Sequence, residues 1–357
     1  MAGEVVRPAV LDRIYGQPAA IALLAASVGA PVESYLFVGP TGAGKRDAAL
    51  AFAAALVCPF GGCGVCVACS EALAERHPDV IVIERSGASI SVEEARAVTA
   101  IAQRTPTAAS RQVIILVDFH LVSQAAPALL KTIEEPPTST TFVVLAEHVP
   151  PPLVTVASRC LRVTFTSLGA ESIVAALVAD GVDEDAAIRA AAGAGGRLDR
   201  ARLLALDDGF VARQSRWRAV PERLDGSGAT VSVLAAELIA AGEELVAVLK
   251  EQQEAELVAL SEASVRAGER RLVGRPTIED RHRREQRRVR SDELRAGLAI
   301  LAGAYRARLD TQGLQSRRIS ALAGAIDAIA ATSEAMTRNP NELLLVQNLL
   351  IELDGAS

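Results

Sequence analysis

The chain has 357 residues, half of them hydrophobic but only 3% aromatic, and a formal net charge of −6. That length allows two or three domains, and a composition rich in Ala, Val and Leu favours helices and cores of small and branched side chains. The acidic balance excludes a protein that coats nucleic acid with its whole surface. No apolar run approaches the roughly 20 residues of a membrane span, and no tripartite leader opens the chain, so a cytoplasmic protein is expected.

In chain order, the apolar run "ESYLFV" (33–38) leads into "GPTGAGK" (39–45), and the Ala-rich "RDAALAFAAALV" (46–57) reads as a helix. Strand, glycine loop and helix are the context of a phosphate-binding loop, whose backbone N–H groups and lysine hold phosphate oxygens. A ligand-free glycine turn is the other reading. The residue after the lysine is normally a Ser or Thr that holds Mg²⁺, and here it is Arg46.

Four of the five cysteines follow, as Cys58-x4-Cys63-x2-Cys66-x2-Cys69, with glycines at 61, 62 and 64 between them. Four thiolates at this spacing suit a closed tetrahedral Zn²⁺ site of structural type; an iron–sulfur cluster and lone thiols are the rivals. "DVIVIE" (79–84) reads as a strand. Ser91 and Glu94 have the spacing of a capping box that opens a helix ending before Pro106.

"QVIILVD" (112–118) is a buried parallel strand in pattern, ending in an acid. Asp118 stands where such loops place a metal-orienting acid, but the water-activating position after it holds Phe119, which cannot take a proton. A helix is expected from about Ser123 to "EEPP", and "TTFVVLAE" supplies a further strand. The alternation argues a doubly wound α/β sheet over about the first 165 residues. Cys160, in "VASRC", reads as a small core residue. Arg159 beside it admits two roles, an internal salt bridge or a projection towards a neighbouring subunit's phosphates.

Beyond Ser167 the strands stop. "GAESIVAALVADG" and "DEDAAIRAAAGAGG" suggest a small helical lid. Long helices are expected near 231–256, 281–309, 319–336 and 342–353, with "RAGERRLVGRPT" (266–277) as a flexible connection. The run 281–290 has six arginines and one glutamate, and reads as a solvated ion-paired face or as a phosphate-backbone contact; without interleaved aromatics it does not stack bases.

"IYGQ" (14–17), "GPTGAGK", the cysteine cluster, "HPDV" (77–80), "ALLKTIEEPP" (128–137) and "SRC" (158–160) occur in the order seen in the clamp-loader subunits of bacterial DNA polymerase III, and the chain resembles that family, its delta-prime branch above all. The resemblance is specific over about residues 10–165. It implies an AAA+ domain over 1–165 with a zinc module at about 58–69, a lid over 166–210, and a helical collar over 211–357 with an Arg-rich insertion at about 266–290. It places Ile14 near an adenine pocket and Gly39, Thr41, Gly42, Gly44 and Lys45 in a degenerate phosphate loop. Cys58, Cys63, Cys66 and Cys69 match the zinc ligands. Arg159, flanked by Ser158 and Cys160, matches a trans-acting arginine finger.

By the same resemblance, motor subunits of the gamma and tau type carry Thr at the position of Arg46 and Glu at that of Phe119. They also carry a phosphate-sensing Thr or Asn within 145–148, and a sensing Arg where this chain has Asp199. This chain has none of these. The expectation is therefore a non-hydrolysing component of the polymerase III holoenzyme, a nucleotidyltransferase assembly of DNA replication. It would bind structural Zn²⁺ and hold ATP or ADP weakly or not at all. Its partners would be gamma/tau and delta subunits in a hetero-pentamer, with the sliding clamp and primer-template DNA reached through the complex and no membrane involved. The alternatives are an active gamma/tau-type ATPase and an unrelated phosphate-loop enzyme.

Overall fold

The computed structural model describes residues 7–84, 92–121, 127–266, 275–309, 316–336 and 341–354. The chain divides into two compact units, 1–205 and 206–357.

The first unit carries, in order, α1 (Pro18–Val28), β1 (Ser34–Val38), α2 (Lys45–Val57), α3 (Val67–Leu73), β2 (Val80–Ile83), α4 (Val92–Ala102), β3 (Gln112–Leu116), α5 (Pro127–Glu134), β4 (Thr140–Ala146), α6 (Val154–Ala157), β5 (Leu161–Thr164), α7 (Ala170–Ala179), α8 (Glu184–Gly193) and α9 (Leu198–Leu204). The strands form one parallel sheet in the order β2-β3-β4-β1-β5. β1, β3 and β4 are buried along their whole length, which explains their unbroken apolar sequences.

Because side chains alternate across a strand, each strand feeds two cores. Tyr35, Phe37, Ile115, Val143 and Leu145 face one layer with α1 and α2. Leu36, Ile114, Leu116, Phe142 and Val144 face the other, with α4 and α5. The alanines of α2 serve close approach to the sheet: Ala48, Ala49, Ala51, Ala53 and Ala54 are fully buried, and Phe52 meets Tyr35 edge-on at 4.7 Å.

The expected strands at 33–38, 79–84, 112–118 and 140–147 are thus all present, within a residue or two at each end. β5 has no counterpart in the sequence reading. It is a four-residue edge strand in which only Val163 is buried, so it lacks the apolar run that marks the central strands. Ser91 and the expected helix start at Ser123 lie outside the described residues.

The second unit consists of α10 (Phe210–Arg223), α11 (Gly228–Arg266), α12 (Arg275–Leu309), α13 (Ser316–Ala335) and α14 (Glu342–Asp354). They enclose a core of Trp217, Leu238, Leu298, Tyr305, Ile329, Leu350 and others. Trp217 lies against the bare backbone of Gly297, where a Cβ would come within 2.0 Å of its ring. The expected long helices are present, and α11 and α12 are both longer than the pattern indicated. Of the connection expected at 266–277, residues 267–274 lie outside the described residues. No described helix is long and apolar enough to cross a membrane.

Candidate functional site

The carboxyl ends of β1, β3 and β4 bring together the glycine loop, Asp118 and Glu147, the position at which open parallel sheets place ligand sites. Gly42 (φ 74°) and Gly44 (φ 82°) hold left-handed backbone, and Gly44 caps α2 in a geometry that favours glycine. Gln17 ties the loop to the segment after β5, the edge strand beside β1. Its side-chain amide donates to the Ala43 and Thr166 carbonyls at 3.0 and 2.7 Å and accepts from the Thr166 N–H at 3.2 Å.

Within the loop, the chain's own groups engage one another. The Lys45 ammonium donates to the Gly39 and Pro40 carbonyls at 2.5 and 2.7 Å. Burial pushes its pKa down, while the nearby carboxylates of Glu147, Asp118 and Asp199 oppose the shift. The Thr41 hydroxyl donates to Glu147. The Gly42 carbonyl accepts the Leu198 N–H at 3.1 Å from the start of α9. Ile14 is buried in the core beside α2. A cavity of about 430 Å³ lies next to it in sequence, lined by Gly16, Gln17, Pro18, Ile21 and Arg7 among others.

Arg46 turns away from the loop. Its Nε and Nη2 donate to the two oxygens of Glu75 at 2.9 Å each, and Nη1 pairs with Glu84. The arginine therefore braces the start of α2 against the end of the cysteine module and the end of β2. Phe119 is fully buried in the core beneath α4 and α5, and Asp118 before it takes a left-handed φ of 53°. Neither Arg46 nor Phe119 supplies a hydroxyl or a base to the loop.

The four cysteines converge. Their sulfurs all lie within 4.8 Å of one another, with Cys58 Sγ 3.8 Å from Cys63 Sγ and 3.6 Å from Cys66 Sγ. A single ion bound at about 2.3 Å by four tetrahedral thiolates separates them by about 3.8 Å, so the donor set fits one metal ion, Cys58 included. Burial alone would raise the Cys58 thiol, yet the N–H groups of Cys63, Gly62 and Phe60 outweigh it and hold the thiol down to about 6.

Arg159 follows α6, half exposed, with Nη1 donating to the Thr155 carbonyl at 3.1 Å and lying 3.5 Å from Glu134. Ser158 donates to the same carbonyl at 2.8 Å. The Cys160 thiol is pushed up to about 12, first by burial and then by Glu134, which makes it a poor nucleophile. In the Arg-rich run, Arg281 pairs with Glu256, Arg283 with Asp280, and Arg290 with Glu243 and Glu342.

Sequence reasoning did not single out Gln17, Glu75, Glu84, Glu147 or Arg197 for the contacts they make. Gln17 ends the quoted "IYGQ" and Glu147 ends the quoted "TTFVVLAE", so both were in view, but their partners lie 149 and 106 residues away along the chain.

The strand order, the glycine loop between β1 and α2, the four-cysteine module and the all-helical second unit define an AAA+ module followed by a collar-type domain. A family model described as DNA polymerase III, delta subunit, matches residues 16–169. Over about the same stretch the chain is similar to delta-prime, gamma and tau subunits of DNA polymerase III, the clamp-loader-related proteins. It is 37% identical to the delta-prime subunit of Pseudomonas aeruginosa over 138 residues, 36% of this chain and 42% of that protein. Against the tau subunit of Escherichia coli it is 35% identical over 175 residues, 47% of this chain and 27% of that protein. The chain thus spans less than half the length of either relative. A crystal structure of a gamma subunit-related protein from Thermotoga maritima superposes with a TM-score of 0.45 at 15% identity, over 94% of this chain and 99% of that one.

Proposed function

We propose that this chain is a delta-prime-like, non-hydrolysing clamp-loader subunit that supplies Arg159 in trans to a neighbour's ATP site. In that role it helps a complex with gamma/tau and delta subunits load the sliding clamp onto primer-template DNA. One observation carries the reading: the loop's lysine and threonine are engaged by the chain's own carbonyls and by Glu147, while Arg46 braces the fold instead of a metal. In this reading the chain comprises an AAA+ part (1–165), a lid (166–210) and a collar (211–357).

Arg159 suits the trans role. A guanidinium stays charged, presents a rigid fork of donors and is only loosely held here, by one carbonyl and a 3.5 Å contact to Glu134 across a half-exposed surface. Reaching a neighbour, it would stabilise charge on the transferring phosphoryl group. The cysteine cluster is assigned to Zn²⁺: its sulfur separations suit a single ion, and a multi-iron cluster spreads its thiolates farther apart.

The test is Arg159→Ala. The variant should melt as the parent does and assemble normally, because the Glu134 contact is a surface pair worth about 0–1 kcal/mol. Turnover at the one interface it serves should fall about 10³-fold. The opposite pattern, a lower melting temperature with unchanged turnover per assembled complex, would end the finger assignment. ATP turnover by the isolated chain that Lys45→Ala abolishes would end the non-hydrolysing one.

A further inference from the structure

Six arginines and one glutamate fill 281–290 in a chain whose net charge is −6, and the proposed function makes no use of them. The structure sorts them by face. Towards α11, polar side chains clasp the two helices together. Gln253 Nε2 donates to Glu285 at 3.0 Å, Gln286 Nε2 donates to Gln253 Oε1 at 2.6 Å, and the buried His282 ring meets Glu256 at 2.8 Å. Arg281 also pairs with Glu256, and Arg290 is held by Glu243 and Glu342. The glutamate of the run is thus turned to the inner face. At about 100° per residue, Arg283, Arg284, Arg287 and Arg288 fall within about 140° of arc on the outer one. Arg283 and Arg287 are exposed, and Arg287 has no ion pair among the described residues. The acids one turn earlier, Glu279 and Asp280, are answered by Arg275 and Arg283 in surface pairs.

We propose that this outer face of α12 is a docking surface for the phosphate backbone of duplex DNA, contacted directly by this chain. The inference goes beyond the proposed function, in which DNA is reached through the complex. Residues four apart on a helix stand about 6 Å apart, so 283 with 287 and 284 with 288 form two short parallel rows of guanidinium forks. A duplex offers regularly spaced anions, about one per 1.7 Å of axis, and such forks bind their oxygens in pairs. The surface pair of Arg283 with Asp280 is weak and gives way to a phosphate. The clasp on α11 holds the rows outward before any ligand arrives, which lowers the ordering cost of binding. No aromatic or large apolar side chain of α12 is exposed among the described residues. Bases therefore find nothing to stack on, and the contact is independent of sequence. A bilayer likewise finds no apolar anchor. An acidic protein would match the charge but not the regular spacing of the two rows.

The experiment titrates the full chain with a fluorescent duplex of about 30 base pairs over a series of salt concentrations. The parent should bind with a micromolar Kd at about 50 mM salt, alike for unrelated sequences. Arg283→Ala/Arg287→Ala should weaken binding at least about fivefold. It should also reduce the slope of log K against log salt by about 2, since each lost phosphate contact removes about 0.9. Arg283→Lys/Arg287→Lys should keep most of that slope, because the charge remains. No binding by the parent, or a folded Ala variant with an unchanged slope, would overturn the inference. So would tighter binding to phosphatidylglycerol vesicles or to polyglutamate, which would give the face to a membrane or to an acidic protein. Should the Ala variant not fold, phenylglyoxal labelling of the parent decides: the duplex should shield Arg283 and Arg287, and equal labelling with and without it refutes the surface. The measurement needs neither ATP nor a partner subunit, so its outcome is independent of the role given to Arg159.

Discussion

The Asp79 carboxylate accepts the backbone N–H groups of Thr107, Ala108 and Ala109 at 2.7 Å each, and the Thr107 hydroxyl at 3.1 Å. Its own N–H goes to His77 Nδ1 at 3.1 Å. The quoted "HPDV" is therefore a structural knot that fixes the turn before β3, and no part of the loop's chemistry. Burial would raise this carboxyl, but the three backbone donors outweigh it and hold its pKa below the usual range. A depressed folded pKa contributes stability that is present above the unfolded value of about 3.9 and is lost as pH falls through the folded value. Asp79→Asn should therefore cost about 2 kcal/mol at pH 7. The gap between parent and variant in thermal or denaturant melts should narrow below about pH 4. A gap that stays constant across the acid range would show that the charge does not matter. Arg46 makes a similar point: the sequence reveals that it cannot replace a metal-binding hydroxyl, but its clasp on Glu75 and Glu84 is visible only in the fold.

Among the elements, the central strands were legible because burial on both faces demands unbroken apolar runs, and α2 because its alanines and the glycine loop mark its start. β5 and α9 were not. The first pairs along one edge only, and the second is a seven-residue helix whose buried positions include Arg200. The cysteine module was readable from spacing alone, since few other patterns place four thiolates so close. It sits between the end of α2 and the first turn of α3, and Gly62 accepts the Val10 N–H at 3.0 Å, so it also holds the N-terminal turn. One Zn²⁺ per chain is the expected result of metal analysis. Cys66→Ser should lose the metal and about 3 kcal/mol of stability, the linkage for a ligand at a hundredfold its dissociation constant. Iron in its place, or a variant as stable as the parent, would remove the assignment.

At the scale of the molecule, each unit owns its core. The sheet's two faces are filled from within 1–205, and the helical cluster around Trp217 draws every member from 206–357. A buried Arg213, clasped by Asp207 and by Glu293 at 3.1 Å, belongs to the second unit as well. A fragment of residues 206–357 should accordingly be helical by circular dichroism and unfold in one cooperative transition. A helical fragment that melts without cooperativity would mean that its core is completed from outside.

The sequence by itself determined the class of sheet, the phosphate-loop scaffold, the missing hydroxyl and base, and the cluster of four thiols able to hold a metal ion. Except for the class of sheet, read from alternation along the first 165 residues or so, these are local patterns written within a dozen or so consecutive residues. Only the tertiary structure decided which distant groups meet the loop. Glu147 follows β4 and Asp199 lies in the first turn of α9, far from residues 39–45 in the chain, and the parallel sheet is what carries β4's end to the loop beside β1. Contacts brought together by topology leave no periodicity or motif at either partner, so the presence of the loop was legible and its contacts with Glu147 and Leu198 were not.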